Sequence, residues 1–148
     1  MNSIDIDDEA AMIFASGLSG NVTLKELEIT NVKDESHGAG CEIEQSLPCR
    51  HNSLFTTDLT DIGCQAIFAA LLSSRLEKLN LHSNNMNEKA VTSLSDALLH
   101  NTTMKTLNLE GNRSITLAGW NAIFRLLRNP NFALEELDLR CNHIADEG

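Results

Sequence analysis

The chain has 148 residues, 4% aromatic residues and a formal net charge of −10. This length predicts one domain with a continuous core. The acidic balance excludes nucleic acid from the expected partners, because phosphate binding needs a basic face. No apolar run approaches the ~18 residues that a membrane span needs, so we expect no membrane association.

Residues 1–23 are predicted to form an amino-terminal capping half-repeat with one helix. Its apolar residues recur every four positions, which places them on one helix face: Ile6, Ala10, Phe14 and Leu18. Asp7 and Asp8 stand where a helix N-cap is expected. Because the amino terminus is acidic where a secretory signal is basic and then apolar, we expect a cytoplasmic location.

The next segment is less regular. The pattern Leu24 to Ile29 predicts a strand, and a short helical face follows at Ala39, Ile43 and Leu47. A second strand is predicted at Leu54–Leu59, although Thr57 stands at a leucine position, and a helix is predicted from about Cys64 to Ser73. An alternative register starts this repeat at Cys49. We prefer Leu54, because Asp58-Leu59 matches Asn80-Leu81 farther along the chain.

From Leu76 onward one phrase occurs three times. It reads L-E-K-L-N-L-H-S-N at 76–84, M-K-T-L-N-L-E-G-N at 104–112 and L-E-E-L-D-L-R-C-N at 134–142. Alternating apolar and polar residues within the phrase predict a short strand with one buried face. The closing asparagines, Asn84, Asn112 and Asn142, are expected to donate to backbone carbonyls at the turn and to form a ladder.

The segments between the phrases are predicted to be helices. Apolar residues follow each other at four-residue steps: Ala90, Leu94 and Leu98, then Gly119, Ile123 and Leu127. Small residues at 90 and 119 are expected to let each helix approach the sheet. Trp120, one position off this face, is expected to pack between neighbouring helices.

This phrase and its spacing of 28 to 30 residues resemble the leucine-rich repeat, in the long subtype of ribonuclease inhibitors. Similar repeats occur in NOD-like receptors and Ran GTPase-activating proteins. The resemblance implies an α/β solenoid shaped as a horseshoe arc, with a parallel β-sheet on the concave face and α-helices on the convex face. Repeats are expected to start near residues 24, 54, 76, 104 and 134.

Strand residues that alternate with the leucines are expected to line the concave face. Eight acids and four bases occupy these positions, and one column through the strands is polar or acidic. We therefore expect this face to bind a protein partner with a basic surface, with Phe55 as an aromatic anchor. The candidate contact residues are Glu28, Phe55, Asp58, Lys78, Asn80, His82, Asn108, Glu110, Asp138 and Arg140.

Motifs for chemistry are weak. Glu135-Glu136 and Asp7-Asp8 are neighbours without an implied enclosed pocket, so acid–base catalysis is not indicated. The four cysteines form no C-x-x-C pair and have no closely spaced histidines, so neither a metal site nor a cofactor is predicted.

We therefore expect a non-enzymatic interaction scaffold. The resemblance leaves two alternatives, a GTPase-activating regulator of a small GTPase and the sensor part of a larger receptor. The repeat that begins at Leu134 reaches Gly148 before its helix, which leaves a core face open. We expect further repeats or self-association to cover that end.

Overall fold

A computed structural model describes residues 4–29, 55–57, 61–84 and 86–144, with the backbone alone at 4–6, 55–57 and 61. The elements follow one another along the chain in this order: β1 (Ile4–Ile6), α1 (Asp8–Leu18), β2 (Glu26–Glu28), β3 (Phe55–Thr57), α2 (Asp61–Leu71), β4 (Lys78–Asn80), α3 (Glu88–Leu98), β5 (Thr106–Asn108), α4 (Leu117–Leu127) and β6 (Glu136–Asp138).

Four of the strands form one parallel sheet in the order β2-β4-β5-β6. Their central leucines are aligned, since Leu27 pairs with Leu79, Leu79 with Leu107 and Leu107 with Leu137. The helices pack in succession, with α1 on α2, α2 on α3 and α3 on α4. This arrangement confirms the predicted α/β leucine-rich-repeat solenoid, because each strand buries its leucine only by stacking on the next repeat.

The strand near Phe55 lies in a different place from the one predicted. β3 pairs in parallel with β1, in a separate two-stranded sheet. β2 pairs directly with β4, so that Glu28 is aligned with Asn80 and no strand lies between them. A strand is present within the predicted Leu54–Leu59, but it does not join the four-stranded sheet as predicted. The alternative start at Cys49 lies outside the described residues.

The physical cause lies at Thr57, which occupies the position where the sheet strands carry their central, core-filling leucine. β3 instead leads almost directly into α2, as β1 leads into α1. The helix predicted at 39–47 lies outside the described residues.

The helix starts are set by polar caps. Asp7 accepts a hydrogen bond from the Ala10 amide at 2.9 Å, which confirms the predicted cap of α1. Asn87 accepts from Ala90 in the same way at α3.

The core contains the leucines of the repeat phrase and one side of each helix. Ala90, Leu94 and Leu98 of α3 are buried as predicted. In α4 the buried residue at the end of the stripe is Leu126, whereas the predicted Leu127 is 49% exposed. Trp120 is fully buried, as expected for a residue packed between helices, and its ring stacks on Phe124 with centroids 6.4 Å apart.

Gly119 is needed by a close contact within its own repeat. A Cβ atom at this position would lie 2.9 Å from Cγ2 of Ile115, which precedes α4, whereas its distance of 3.6 Å from the Cα atom of Glu88 in α3 would be an ordinary van der Waals contact. The small residue therefore makes room for the Ile115 side chain.

The closing asparagines form the predicted ladder. The Asn112 amide donates to the carbonyls of Leu81 and Leu109 at 2.9 and 3.0 Å. Its Oδ1 accepts from the backbone amides of Asn84 and Met86. Asn112 is fully buried, and three of these four bonds, those to Leu81, Asn84 and Met86, join it to the preceding repeat.

The residue before each of these asparagines has a left-handed backbone. Its φ is 56° at Ser83, 72° at Gly111 and 56° at Cys141. Glycine adopts this conformation without the steric cost that a Cβ atom brings. The turn therefore has the same shape in three repeats, although its sequence differs.

Candidate protein-interaction face

The side of the four-stranded sheet turned away from the helices carries polar side chains, because strand residues alternate between the two faces. We call this the strand face. It comprises the outward residues of the strands and those that flank them: Lys25, Glu26, Glu28, Glu77, Lys78, Asn80, His82, Lys105, Thr106, Asn108, Glu110, Glu135, Glu136, Asp138 and Arg140.

The polar column through the strands has a structural role that the sequence did not reveal. The side-chain Oδ1 of Asn80 accepts a hydrogen bond from the backbone amide of His82 at 3.1 Å. Asn108 and Asp138 accept in the same way from Glu110 and Arg140, at 2.8 and 3.0 Å. Each side chain thereby satisfies a backbone donor at the end of its strand.

At the amino-terminal end of the strands, acids and bases alternate and form ion pairs. Lys25 Nζ lies 2.8 Å from Glu77 Oε1, and Lys105 Nζ lies 3.9 Å from Glu135 Oε1. The hydrogen bond and charge of Lys25 lower the pKa of Glu77.

One row farther along, Lys78 Nζ lies 2.7 Å from Glu26 Oε1. This hydrogen bond and charge raise the pKa of Lys78, with a smaller contribution from Glu136. These groups are exposed, so the pairs contribute mainly to local charge neutrality.

At the opposite end, Arg140 joins β5 to β6. Its Nη2 donates to Asp138 Oδ2 at 2.7 Å and to Glu110 Oε2 at 3.0 Å. The hydrogen bonds from Arg140 outweigh partial burial and lower the pKa of Asp138. Asp138 and Glu110 are mostly shielded, with 22% and 15% of their side chains exposed.

Two acids of the strand face form no ion pair among the described residues: Glu28 on β2 and Glu136 on β6. Within the described part of the chain, Glu28 Oε1 is also buried and has no hydrogen-bond partner. The acids without an ion pair therefore lie on the two outer strands of the sheet. Arg140 serves two acids, Glu110 and Asp138, which leaves one further negative charge beside β5 and β6.

Eight of the ten predicted contact residues lie together on the strand face: Glu28, Lys78, Asn80, His82, Asn108, Glu110, Asp138 and Arg140. Phe55 does not, because β3 belongs to the second sheet. Asp58 lies outside the described residues, and its predicted place between Glu28 and Asn80 does not exist, since these two residues are aligned on paired strands. The predicted aromatic anchor is therefore not part of the strand face.

None of the helices among the described residues has the length and apolar character that crossing a bilayer requires.

Comparison with known proteins supports the repeat assignment. A family model described as leucine-rich repeat matches residues 100–123 and 131–148. The chain is 28% identical over 152 residues to mouse (Mus musculus) NACHT, LRR and PYD domains-containing protein 4E, covering all of this chain and 15% of that protein. It is 33% identical over 135 residues to protein 4C of the same series in mouse, covering 86% of this chain and 13% of the relative.

Human (Homo sapiens) NACHT, LRR and PYD domains-containing protein 14 is 32% identical over 126 residues, which cover 82% of this chain and 11% of that protein. The chain therefore spans between about a tenth and a seventh of the length of these relatives.

Proposed function

Because this chain is a leucine-rich-repeat protein whose repeats resemble those of NOD-like receptors, we propose that it is a non-enzymatic scaffold that binds a protein partner on the strand face. The observation that carries this proposal is the gathering of eight polar contact candidates on one accessible side of the sheet. Such an open surface suits recognition of another protein, whereas small-molecule sites are usually concave and mostly apolar.

The proposed partner presents a basic surface. Seven acids and four bases occupy the strand face, which gives a net charge of −3, and Glu28 and Glu136 are the acids of this face that form no ion pair among the described residues. A lysine or arginine from a partner would complement this negative charge, and Glu136 is the exposed acid that it can reach. Charge complementarity of this kind favours selection of a basic partner and faster association.

The test is affinity capture from a cytosolic extract, quantified by mass spectrometry, with the full chain and charge-reversal variants. Glu28→Lys and Glu136→Lys are expected to abolish capture of the specific partner. Asp96→Lys changes an exposed acid on the helix side by the same charge and is the matched control. Equal loss of capture with Asp96→Lys, or retention with both strand-face variants, would refute the strand face as the binding surface.

A second candidate function is the sensor part of a larger, cytoplasmic receptor. The relatives carry NACHT and PYD domains in their names, and this chain spans 11–15% of their length. An antibody raised against residues 86–144 tests this on endogenous protein in fractionated cells. A cytosolic band far above 16.2 kDa is expected for the receptor, whereas a single band at that mass would contradict it.

A further inference from the structure

Helix α1 exposes an apolar stripe on the side away from α2. We define the α1 stripe as Ala10, Ile13, Phe14 and Gly17, which have the i, i+3, i+4, i+7 spacing of one helix side. Ile13 is 69% exposed and Phe14 is 37% exposed. A Cβ atom added at Gly17 would have no atom within 4 Å, so the space above this residue is open.

The same stripe is a packing surface elsewhere in the molecule. In α3 the equivalent residues are Ala90, Ser93, Leu94 and Ala97; the three apolar ones are 0–4% exposed and Ser93 is half-buried. The side of α1 that faces α2 is buried normally, through Ala11, Ala15 and Leu18. The α1 stripe is therefore a helix face of the kind that is covered in this fold. Ala10 packs partly against the core, whereas the side chains of Ile13 and Phe14 remain exposed.

A repeat of the ordinary type does not fit on this face. The residue equivalent to Ile13 is Ala66 in α2, Ser93 in α3 and Ala122 in α4. At Ala122 the preceding helix comes close, since Ser95 Oγ of α3 donates to the Ala122 carbonyl at 2.9 Å. Ile13 carries a branched side chain at this contact position, so a helix at the same distance would collide with it.

The charges around the stripe indicate which occupant fits. Asp7, Asp8 and Glu9 lie at the start of α1, and α1 contains no basic residue. Asp7 and Glu9 are exposed at the same end of the helix as Ile13. A second copy of this chain would bring another acidic α1 to the face, whereas a basic helix would gain attraction there.

We propose that the α1 stripe docks an amphipathic helix of a partner protein, with Ile13 and Phe14 against its apolar side and lysine or arginine residues beside Asp7 and Glu9. This surface is separate from the strand face, and its test does not depend on the function proposed for that face. Helix-in-groove recognition of this type uses apolar anchors at the same i, i+3, i+4, i+7 spacing.

The test uses the full chain and two designed peptides of about 20 residues, a length that supports helix formation. Both peptides carry the same leucine stripe, flanked by lysines in one and by glutamates in the other. Fluorescence anisotropy of the labelled peptides is expected to show binding of the lysine peptide at least about tenfold tighter than that of the glutamate peptide.

Ile13→Glu is expected to weaken binding of the lysine peptide at least about tenfold, as loss of a central apolar contact does. Leu72→Glu is the matched control, because Leu72 is 59% exposed outside the stripe, and it should change affinity less than about twofold. Ile13→Ala provides a second variant without added charge, and thermal melts by circular dichroism verify folding.

Three outcomes would overturn the proposal. They are equal affinity for the two peptides, equal weakening by Leu72→Glu, and a concentration-dependent dimer in light scattering that Ile13→Glu dissolves. The last outcome would assign the stripe to a second copy of this chain. Tight lysine-peptide binding that Ile13→Ala and Ile13→Glu both weaken, with Leu72→Glu unchanged, would support it.

Discussion

The repeats from Leu76 to Asn142 and the amino-terminal repeat at 4–29 use the same kind of helix and strand, yet they are interlocked to different degrees. In the first region Leu79 and Leu107 are buried and Asn112 bonds to the neighbouring turn. In the second, Leu27 is only half-buried and α1 exposes an apolar stripe. The comparison shows that a repeat is fixed by neighbours on both sides more than by its own sequence.

The largest expected effect is at the centre of the regular region. Leu107→Ala should lower the free energy of unfolding by about 2–5 kcal/mol, because a fully buried leucine leaves a cavity. Leu27→Ala, at the aligned position in β2, should cost clearly less because Leu27 is half-buried. Urea unfolding monitored by circular dichroism measures both, and equal costs would refute the difference between the regions.

Thr106→Ala is the control for strand phase. Thr106 neighbours Leu107 but points to the strand face, so its removal should change stability by no more than about 0.5 kcal/mol. If Thr106→Ala and Leu107→Ala had the same effect, the assignment of strand faces would be wrong.

Asn112→Ala tests the ladder. It removes five hydrogen bonds from a fully buried site, and we expect a loss of about 2–3 kcal/mol because backbone groups lose their partners. Asn142 is less buried and bonds to Leu109 and Leu139, so Asn142→Ala should cost less. Chemical denaturation of both variants gives the two free energies of unfolding. A larger loss for Asn142→Ala than for Asn112→Ala would contradict the view that the interior asparagine contributes more than the last one.

Gly111→Ala tests the left-handed turn. The backbone φ of 72° disfavours any Cβ atom, and the new atom would lie 2.7 Å from Ser83 Oγ. We expect a loss of about 1 kcal/mol or slightly more. Thermal melting measures it against Gly17→Ala, which adds the same methyl group in open space within a helix and should not destabilise the chain.

Arg140→Gln should have the smallest effect on stability, within about 1 kcal/mol, because the Arg140 side chain is 55% exposed. Its clearer effect is on the pKa of Asp138, which Arg140 lowers and which should rise towards its usual value in the variant. Carboxylate chemical shifts in an NMR titration report this pKa.

The lowered pKa also predicts a direction for pH dependence. A carboxyl group whose pKa is lower in the folded state contributes stability above its unfolded pKa and loses it as the pH falls through the folded value. The contribution of Asp138 should therefore decline below about pH 4. An Asp138 titration midpoint unchanged by Arg140→Gln would show that the guanidinium does not set it.

Much of the fold followed from the sequence because the leucine phrase combines two independent constraints. Leu79, Leu107 and Leu137 define which face is buried, and the closing asparagines define where each strand ends. Together they fix the register of the sheet, and eight residues of the strand face followed from simple alternation. The cap at Asp7 was equally readable, because its chemistry is local.

The errors arose where a contact depends on partners distant in sequence. Leu54–Leu59 alternates like a sheet strand, and only the missing leucine at Thr57 indicated otherwise. The exposure of Leu127 and Phe14 depends on which neighbouring helix is present. A four-residue spacing shows which residues share a helix face, but it does not show which helix covers that face. The ion pairs that neutralise the strand face likewise follow from sheet order.

The direct pairing of β2 with β4 has a consequence for protein engineering. β2 ends at Glu28, and the next strand of that sheet begins only at Lys78, still in matching register. Since closing a longer connection costs only slightly more entropy, the pairing of β2 with β4 should tolerate residues added to the sequence between them. Helix α2 lies in this interval and packs on both α1 and α3, so an insertion within α2 should disturb the stack.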